Sequence, residues 1–414
     1  MCLCAYPLFL SQFIILTKQE ILDWAQKHLE DDPDKLRFRY HGSANYDCIE
    51  MAISHIESLR KSSAKFRAED ISLKPELLYP PIAVEQSTSA ALAMLHRNLF
   101  VRHLKGKGSF LDLTCGLGID SRAMALTGCD VTSLEIDQVK YDVAEFNFRN
   151  FENVNIFNID CREFLNLTEL HFDIIYIDPS RRSNDLKRVY GISDCRPDVL
   201  EMIPILKQHA STVFVKLSPM IDISQTLRDF DKATNIYVLG YRKECKELLV
   251  EIDFDNLMCH SDVPIIVYES PLSQPIVFNQ SEICNVVKEY YDVDAGEYVY
   301  VPSAVMSKAG CYGSLATRFN LDIVSANTHL LHGHECYLQF PGNIYRVNEI
   351  RDWSSRNIKF LKKKKVSANI IARNFDQTPD NLRKLLNVKD SDETTLIFYR
   401  NNENEKKILI TSRV

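Results

Sequence analysis

The sequence predicts an α/β chain: a mainly parallel sheet in its middle, a helical region before it, and small α+β domains after it. Three observations predict this. The first hundred residues carry apolar residues at helical spacing. From Ser109 to Leu217, short apolar runs alternate with helical patterns. After Asn256 that alternation stops.

Thr17-Lys-Gln-Glu20 has capping-box form, in which a hydroxyl and a carboxylate each satisfy the other's backbone N–H. It precedes the apolar-periodic stretch Ile21–Leu29. A second helical pattern runs from Ala44 to Leu59, and Leu77–Pro81 is extended. A helix is expected over Val84–His103, so residues 1–105 form a mainly helical N-terminal region. Strand-like runs follow at Ser109–Thr114, Asp130–Glu135, Asn155–Asp160, Asp173–Asp178 and Thr212–Leu217. Helical stretches at Ile119–Thr127, Gln138–Asn150 and Pro197–His209 lie between several of them, and crossovers of that kind join parallel strands. Asn235–Tyr241 and Glu247–Phe254 stand about five residues apart, which suits an antiparallel hairpin. These elements make a domain over 106–256.

Beyond it, strand-like runs at Pro264–Tyr268, Glu297–Tyr300 and Glu335–Phe340 mix with helical patterns at Ser281–Tyr291 and Ser303–Tyr312. Pro341-Gly342 reads as a joint, giving small α+β domains at 257–340 and 341–414. The last of these has an apolar run at Ser367–Ile371, a helix at Thr378–Leu386, and strands at Thr394–Tyr399 and Lys407–Thr411.

Charge is unevenly placed. The 414-residue chain has a formal net charge of −7, yet Arg351–Val414 holds 15 Lys and Arg against 8 Asp and Glu. That tail is therefore +7 and the rest −14. A basic terminal domain on an acidic body can bind a polyanion, although a lysine-rich face can also be simply solvated. The 12 cysteines form no Cys-x-x-Cys pair, so reduced thiols in a cytoplasmic protein are expected, with no disulfide framework or structural zinc. Met1–Leu16 is apolar but lacks a basic start and a small-x-small cleavage site. It is short of the ~20 apolar residues a membrane span needs. It reads as a packing segment or an upstream start-site extension, and no membrane association is expected. His332-Gly-His334 has no acid or cysteine at useful sequence spacing, so no metal is expected there.

The chemistry concentrates at the ends of the strands. Phe110-Leu-Asp-Leu-Thr-Cys-Gly-Leu-Gly-Ile-Asp120 is an apolar strand turning tightly into a helix. Gly116 and Gly118 let a ligand approach the backbone, and the helix N-terminus offers unpaired N–H groups. Glu135 ends the second strand, 19 residues beyond Gly116, where an acid accepts hydrogen bonds from ribose hydroxyls. Its bland role is a helix cap or an exposed loop acid. Asp160 ends the third strand and could meet an adenine amino group or merely cap the next helix. The fourth strand ends in Asp178-Pro-Ser-Arg-Arg182. There a carboxylate could orient a nucleophile, and the arginines could meet a phosphate. Asp-Pro is also a common turn former. The loop lacks the full Gly-x-Gly-x-x-Gly pattern of nicotinamide dehydrogenases, which counts against hydride transfer.

Together these residues resemble the motif series of class I S-adenosylmethionine-dependent methyltransferases. Five parallel strands plus a terminal hairpin match their Rossmann-like seven-stranded sheet. The resemblance implies that Asp112, Thr114, Cys115, Gly116, Gly118 and Asp120 surround the methionine end of S-adenosylmethionine. Glu135 and Ile136 would hold the ribose side, and Asp160 with Cys161 the adenine. Asp178, Pro179, Ser180 and Arg181 would form the catalytic strand end, with Asp178 also beside the cofactor as one of its binding residues. Thr114 stands where many relatives have the first glycine, a variant found in some RNA methyltransferases. Asp178-Pro-Ser-Arg keeps the acid and first proline of the amino-methylating Asp/Asn-Pro-Pro-Tyr/Phe motif but lacks its aromatic. It is also similar to the Asp-Pro-Pro-Arg of 5-methyluridine enzymes. Those use a cysteine after the fifth strand, where this chain reads Val215-Lys-Leu-Ser-Pro219.

Pro80-Pro-Ile-Ala-Val-Glu-Gln-Ser-Thr-Ser89, the Asp112–Gly118 loop, Ile177–Arg182 and Lys216-Leu-Ser-Pro-Met220 resemble a bacterial family of class I methyltransferases. In that family a ferredoxin-like unit, here carrying Tyr300–Met306, precedes a THUMP-like unit carrying Ala372–Phe375 and Leu382–Leu385. The resemblance implies an RNA substrate. Lys359 and Lys362, Lys363, Lys364 and Lys365 would neutralise phosphates, with Arg373 and Phe375 adding a polar or stacking contact. Two alternatives stay open: a cofactor-binding nucleic-acid-binding protein without catalysis, and a methyltransferase for protein or a small molecule.

Overall fold

Thr17 and Glu20 close the expected capping box, with the Thr17 N–H on Glu20 Oε2 at 2.7 Å, and helix α1 (Lys18–Lys27) follows. The structure is a computed structural model that describes residues 17–43, 45–62, 65–66, 75–181, 191–256, 263–284 and 289–414. The apolar run Met1–Leu16 lies outside the described residues. No helix among them is long and apolar enough to cross a membrane. Eight cysteines among the described residues are free thiols.

The described residues form two units, one made of those up to Arg181 together with Cys195–Phe214, the other of Gly191–Asp194 together with those from Val215 to Val414. In the first, α1 packs with α2 (Pro33–Tyr40) and α3 (Tyr46–Ser62) around Ile21, Leu36, Ile49, Ile53 and Ile56. The helix expected over Val84–His103 is divided. Pro80-Pro81 starts α4 (Pro81–Gln86), Ser89 caps α5 (Ala90–Phe100), and one 3-10 turn ends it at His103. Leu77, Val84 and Ala90 share one apolar cluster with Leu117, Ile119 and Val143. The N-terminal region is thereby packed onto the glycine loop's own helix. Asn147 ties the same region down by exchanging two 2.9 Å hydrogen bonds with the backbone of Leu77.

Four parallel strands carry the site: β1 (Ser109–Asp112), β2 (Asp130–Leu134), β3 (Val154–Phe157) and β4 (Phe172–Ile177), ordered β3-β2-β1-β4. Helices α6 (Ile119–Ala125), α7 (Gln138–Phe148) and α8 (Cys161–Leu167) connect them, and α9 (Val199–His209) leads into β5 (Ala210–Leu217). Strands β2, β3 and β4 stop one to three residues short of the expected acid, which leaves Glu135, Asp160 and Asp178 in the following turns, while Asp112 closes β1 itself.

In the second unit, β6 (Ala233–Tyr241) and β7 (Glu244–Asp253) form the antiparallel hairpin. The gap is two residues, Arg242 and Lys243, both at positive φ of 53° and 66°. That is the twist-matched turn of a tight hairpin, shorter than the five-residue gap expected. Two further strands extend this side: β8 (Ile265–Tyr268) pairs with β6 in parallel and β9 (Ile276–Phe278) with β8. The expected boundary at residue 256 is therefore bridged by a strand ladder.

A second sheet of seven strands follows. Its members are β10 (Tyr298–Pro302), β11 (Asp322–Ile323), β12 (Leu331–Gly333), β13 (Gly342–Asp352), β14 (Asn369–Arg373), β15 (Thr394–Arg400) and β16 (Lys406–Arg413). Their order is β11-β12-β10-β13-β16-β15-β14. Helices α10 (Ile223–Asp229), α11 (Gln280–Cys284), α12 (Ala304–Ala309), α13 (Tyr312–Phe319), α14 (Ser355–Lys364) and α15 (Pro379–Leu386) complete the unit. The strand expected over Glu335–Phe340 is a loop. Its aromatics pack on Tyr300 and Phe319 without joining a ladder, and the strand falls instead at β13.

Candidate active site

The loop from β1 to α6 is held by hydrogen bonds that use most of its polar groups. Asp112 is buried, and its Oδ1 accepts the Thr114 N–H at 3.0 Å. Its Oδ2 accepts the Ser121 hydroxyl at 2.6 Å, and Ser133 donates to Ser121 in turn. Burial pushes the Asp112 carboxyl up to about 7, the largest of several effects, with Asp120 and Asp178 adding to it. Thr114 explains its own substitution for glycine: its hydroxyl accepts the Asp178 N–H at 2.7 Å, locking the first strand end to the fourth. Glu135 is buried and clasps the loop from the other side. It accepts the Gly116 N–H on one oxygen and the Asp137 N–H on the other, both at 2.8 Å.

The two glycines play different roles. Gly118 has φ +77°, and a Cβ there would stand 2.4 Å from Phe148 Cζ, so only glycine packs against α7. Gly116 has φ +58°, but a Cβ there would meet nothing nearer than the Thr114 carbonyl oxygen at 4.0 Å. The outer face of Gly116 is thus open for a ligand. Ile136, next to Glu135, is 68% exposed, an apolar side chain displayed at the strand end.

Other expected site residues are engaged in structural contacts. Asp120 is buried and accepts from Thr88 Oγ1 at 2.7 Å and from His96 Nδ1 at 2.8 Å. Thr88, His96 and Tyr176, whose hydroxyl lies 3.4 Å from Asp120, were not singled out from the sequence. A histidine inside the apolar helix Ala90–Phe100 was the available sign. Asp160 caps α8 through the Arg162 N–H and pairs with the Arg162 guanidinium at 2.8 Å, which holds its carboxyl below the usual range. Cys115 and Cys161 are buried, and burial pushes both thiols up, Cys161 to about 11. Neither is a thiolate at neutral pH. Pro179 is buried, Ser180 is exposed, and the backbone of Ser180-Arg181 pairs with Cys195-Arg196. Arg182 lies outside the described residues.

Two expectations in the C-terminal sheet change. His332 does have an acid partner. Glu297, 35 residues away in sequence, accepts from its Nδ1 at 2.8 Å, and His334 lies 3.5 Å from the same carboxylate. Spacing missed the pair because β10 and β12 are neighbours only in the folded sheet. Phe375 is packed with Trp353 and Phe398, next to the cluster that includes Leu361 of α14. Arg373 is two residues along β14 from Ile371, which packs on the opposite cluster with Tyr345 and Tyr399. The lysine-rich helix and Arg373 are therefore on different faces of the sheet.

The sheet, the glycine turn and the acids at successive strand ends define the class I methyltransferase fold. The profile of a ferredoxin-like domain matches residues 298–341, and that of a THUMP domain-like family matches residues 342–413. A crystal structure from Porphyromonas gingivalis W83, provisionally assigned as a methyltransferase, is 28% identical. It covers 97% of this chain and 100% of its own, with a TM-score of 0.83. The chain thus carries ferredoxin-like and THUMP-like segments at its C-terminal end and is similar over nearly its whole length to that protein. Among curated proteins, ribosomal RNA small subunit methyltransferase J of Coxiella burnetii is 28% identical over 127 residues, 26% of this chain and 49% of that protein. Ribosomal RNA large subunit methyltransferase K/L of Legionella pneumophila is 32% identical over 98 residues, 23% of this chain and 14% of its own. The chain spans about half the length of the first of these and less of the second.

Proposed function

We propose that the protein is an S-adenosylmethionine-dependent methyltransferase acting on RNA. The observation that carries the cofactor assignment is the open face of Gly116 between the clasping Glu135 and the Thr114–Asp178 tie. The residues present fit the cofactor. The Thr114–Gly118 backbone would hold its methionine end. Each Glu135 oxygen has a second lone pair for a ribose hydroxyl beyond the N–H it already accepts. Ile136 offers an apolar surface to the adenine, with Asp160 and Cys161 beside it. Asp112 and Asp120 are positioning residues, one shaping the loop and one fastening it to Thr88 and His96.

Bound S-adenosylmethionine supplies a methyl group already activated on its sulfonium. What remains for the chain is to place a nucleophile and receive its proton. Asp178 does this at the end of β4, with Ser180 and Arg181 next along the strand end. RNA is favoured as the acceptor by the THUMP-like domain and by α14, which carries Arg356, Lys359 and Lys362–Lys364 with no acidic residue. Those lysines are exposed, as is Lys365.

The test is calorimetry with S-adenosylmethionine together with tritiated methyl transfer into total RNA. Asp178→Ala should keep cofactor affinity within about twofold and abolish transfer. Glu135→Ala should lose affinity. Unchanged affinity in Glu135→Ala removes the cofactor assignment. Cofactor binding without methyl transfer to RNA, DNA or protein would favour a binding protein that has kept only the fold.

A further inference from the structure

The ferredoxin-like and THUMP-like segments meet at a cluster that neither the methyltransferase site nor the lysine-rich helix uses. Tyr312 begins α13, and its ring stacks on His329 with centroids 4.1 Å apart and planes within 7°. His329 has φ +56°, the left-handed region. Its loop is pinned there. Ser325 donates to the Thr328 hydroxyl at 2.7 Å, and Thr328 donates to the Arg400 carbonyl at 2.5 Å. Arg400 follows Tyr399, the residue paired with Arg373 across β14 and β15. The Nε of Arg373 is buried and has no hydrogen-bond partner among the described residues.

Arg373 acts electrostatically on His329, on Tyr312 together with Cys311, and on Tyr345 after Arg413. Burial first and Arg373 second hold the His329 imidazole below its usual range, so the ring is neutral at pH 7. A flat ring pair, partly exposed, is thus tied through Thr328 and Arg400 to the strand pair that carries Arg373, whose Nε lacks an acceptor. A planar base stacks on such rings with little regard to sequence, and a phosphate satisfies such a guanidinium.

We propose that Tyr312, His329 and Arg373 bind one unpaired nucleotide of the RNA, its base on the Tyr312–His329 stack and its phosphate on Arg373. This rests on the RNA reading above and adds a second contact face to it, across the sheet from α14. The test is fluorescence anisotropy of the full chain with a 5′-fluorescein 12-nucleotide single-stranded RNA over a salt series. His329→Asn keeps the left-handed backbone and removes the ring. It should bind about 10-fold or more weakly, with an unchanged melting temperature. Arg373→Gln should weaken binding and reduce the slope of log K against log salt by about 0.7. Wild-type binding with both variants unaffected overturns the nucleotide site and leaves the RNA reading standing. No binding by the wild type overturns both. Loss of melting temperature in His329→Asn with unaltered binding in Arg373→Gln means a structural role and also overturns the site.

Discussion

Alanine at Gly116 and alanine at Gly118 should fail in opposite ways. At Gly118 the added methyl takes on two costs. The left-handed backbone, φ +77°, is worth about 1–2 kcal/mol against a residue with a Cβ. The clash 2.4 Å from Phe148 Cζ adds about 1–3 kcal/mol as overpacking, because that ring is buried with Cys115 and Ala144. Gly118→Ala should therefore lose about 2–5 kcal/mol, a large part of a typical domain's stability. At Gly116 only the backbone cost applies, since the methyl has open space. Gly116→Ala should lose about 1–2 kcal/mol and fold normally. Its methyl, however, occupies the space assigned to the cofactor. If that intrusion costs about 2.7 kcal/mol, affinity falls about 100-fold. Urea titrations and calorimetry with S-adenosylmethionine measure both quantities on both variants. A Gly116→Ala protein that folds and binds the cofactor with wild-type affinity would refute the placement of the ligand on that face.

Two further perturbations test the electrostatics. Folded Asp112 holds its proton up to about pH 7, against 3.8 for the ordinary side chain, so the folded state binds more protons between those values. Its contribution is a penalty that grows as pH rises from about 4 to about 7 and is constant above, on the order of 4 kcal/mol in all. Asp112→Asn should remove that part of the slope in urea midpoints taken at pH 5 and pH 8, and an identical pH dependence in the variant would contradict it. Reversing three exposed charges, as Lys362→Glu with Lys363→Glu and Lys364→Glu, should weaken RNA binding and flatten its salt dependence by about 2 in slope. Equal salt slopes in the wild type and the triple variant would take the lysine helix out of the interface.

The strands of the methyltransferase fold were legible because each is a short apolar run, and the first four are closed by an acid at or just past their ends. Periodicity found them, and the turn chemistry marked their ends. The roles of those acids were less legible. Asp160 as a cap is local and was one of the two roles its position offered, whereas Asp120 as a partner of Thr88 and His96 depends on which distant residues the fold brings within 3 Å, and one sequence does not contain that. Helices α2 and α14 escaped notice for a common reason. Each buries a single leucine, Leu36 or Leu361, so no apolar stripe repeats. Strand β13 escaped because Asn343–Asp352 mixes charged and apolar residues along two half-exposed faces.

The family profiles divide the C-terminal part between residues 341 and 342, yet β13 begins at Gly342 and is hydrogen-bonded to β10 before the division and β16 after it. A cut at that point would leave both pieces with raw, unpaired strand edges, each a template for association with another chain. The unit that can be inherited, exchanged or grafted onto another catalytic domain is therefore the whole sheet from Tyr298 to Arg413, not the THUMP-like portion alone. Whatever this portion recognises is carried by both segments as one piece.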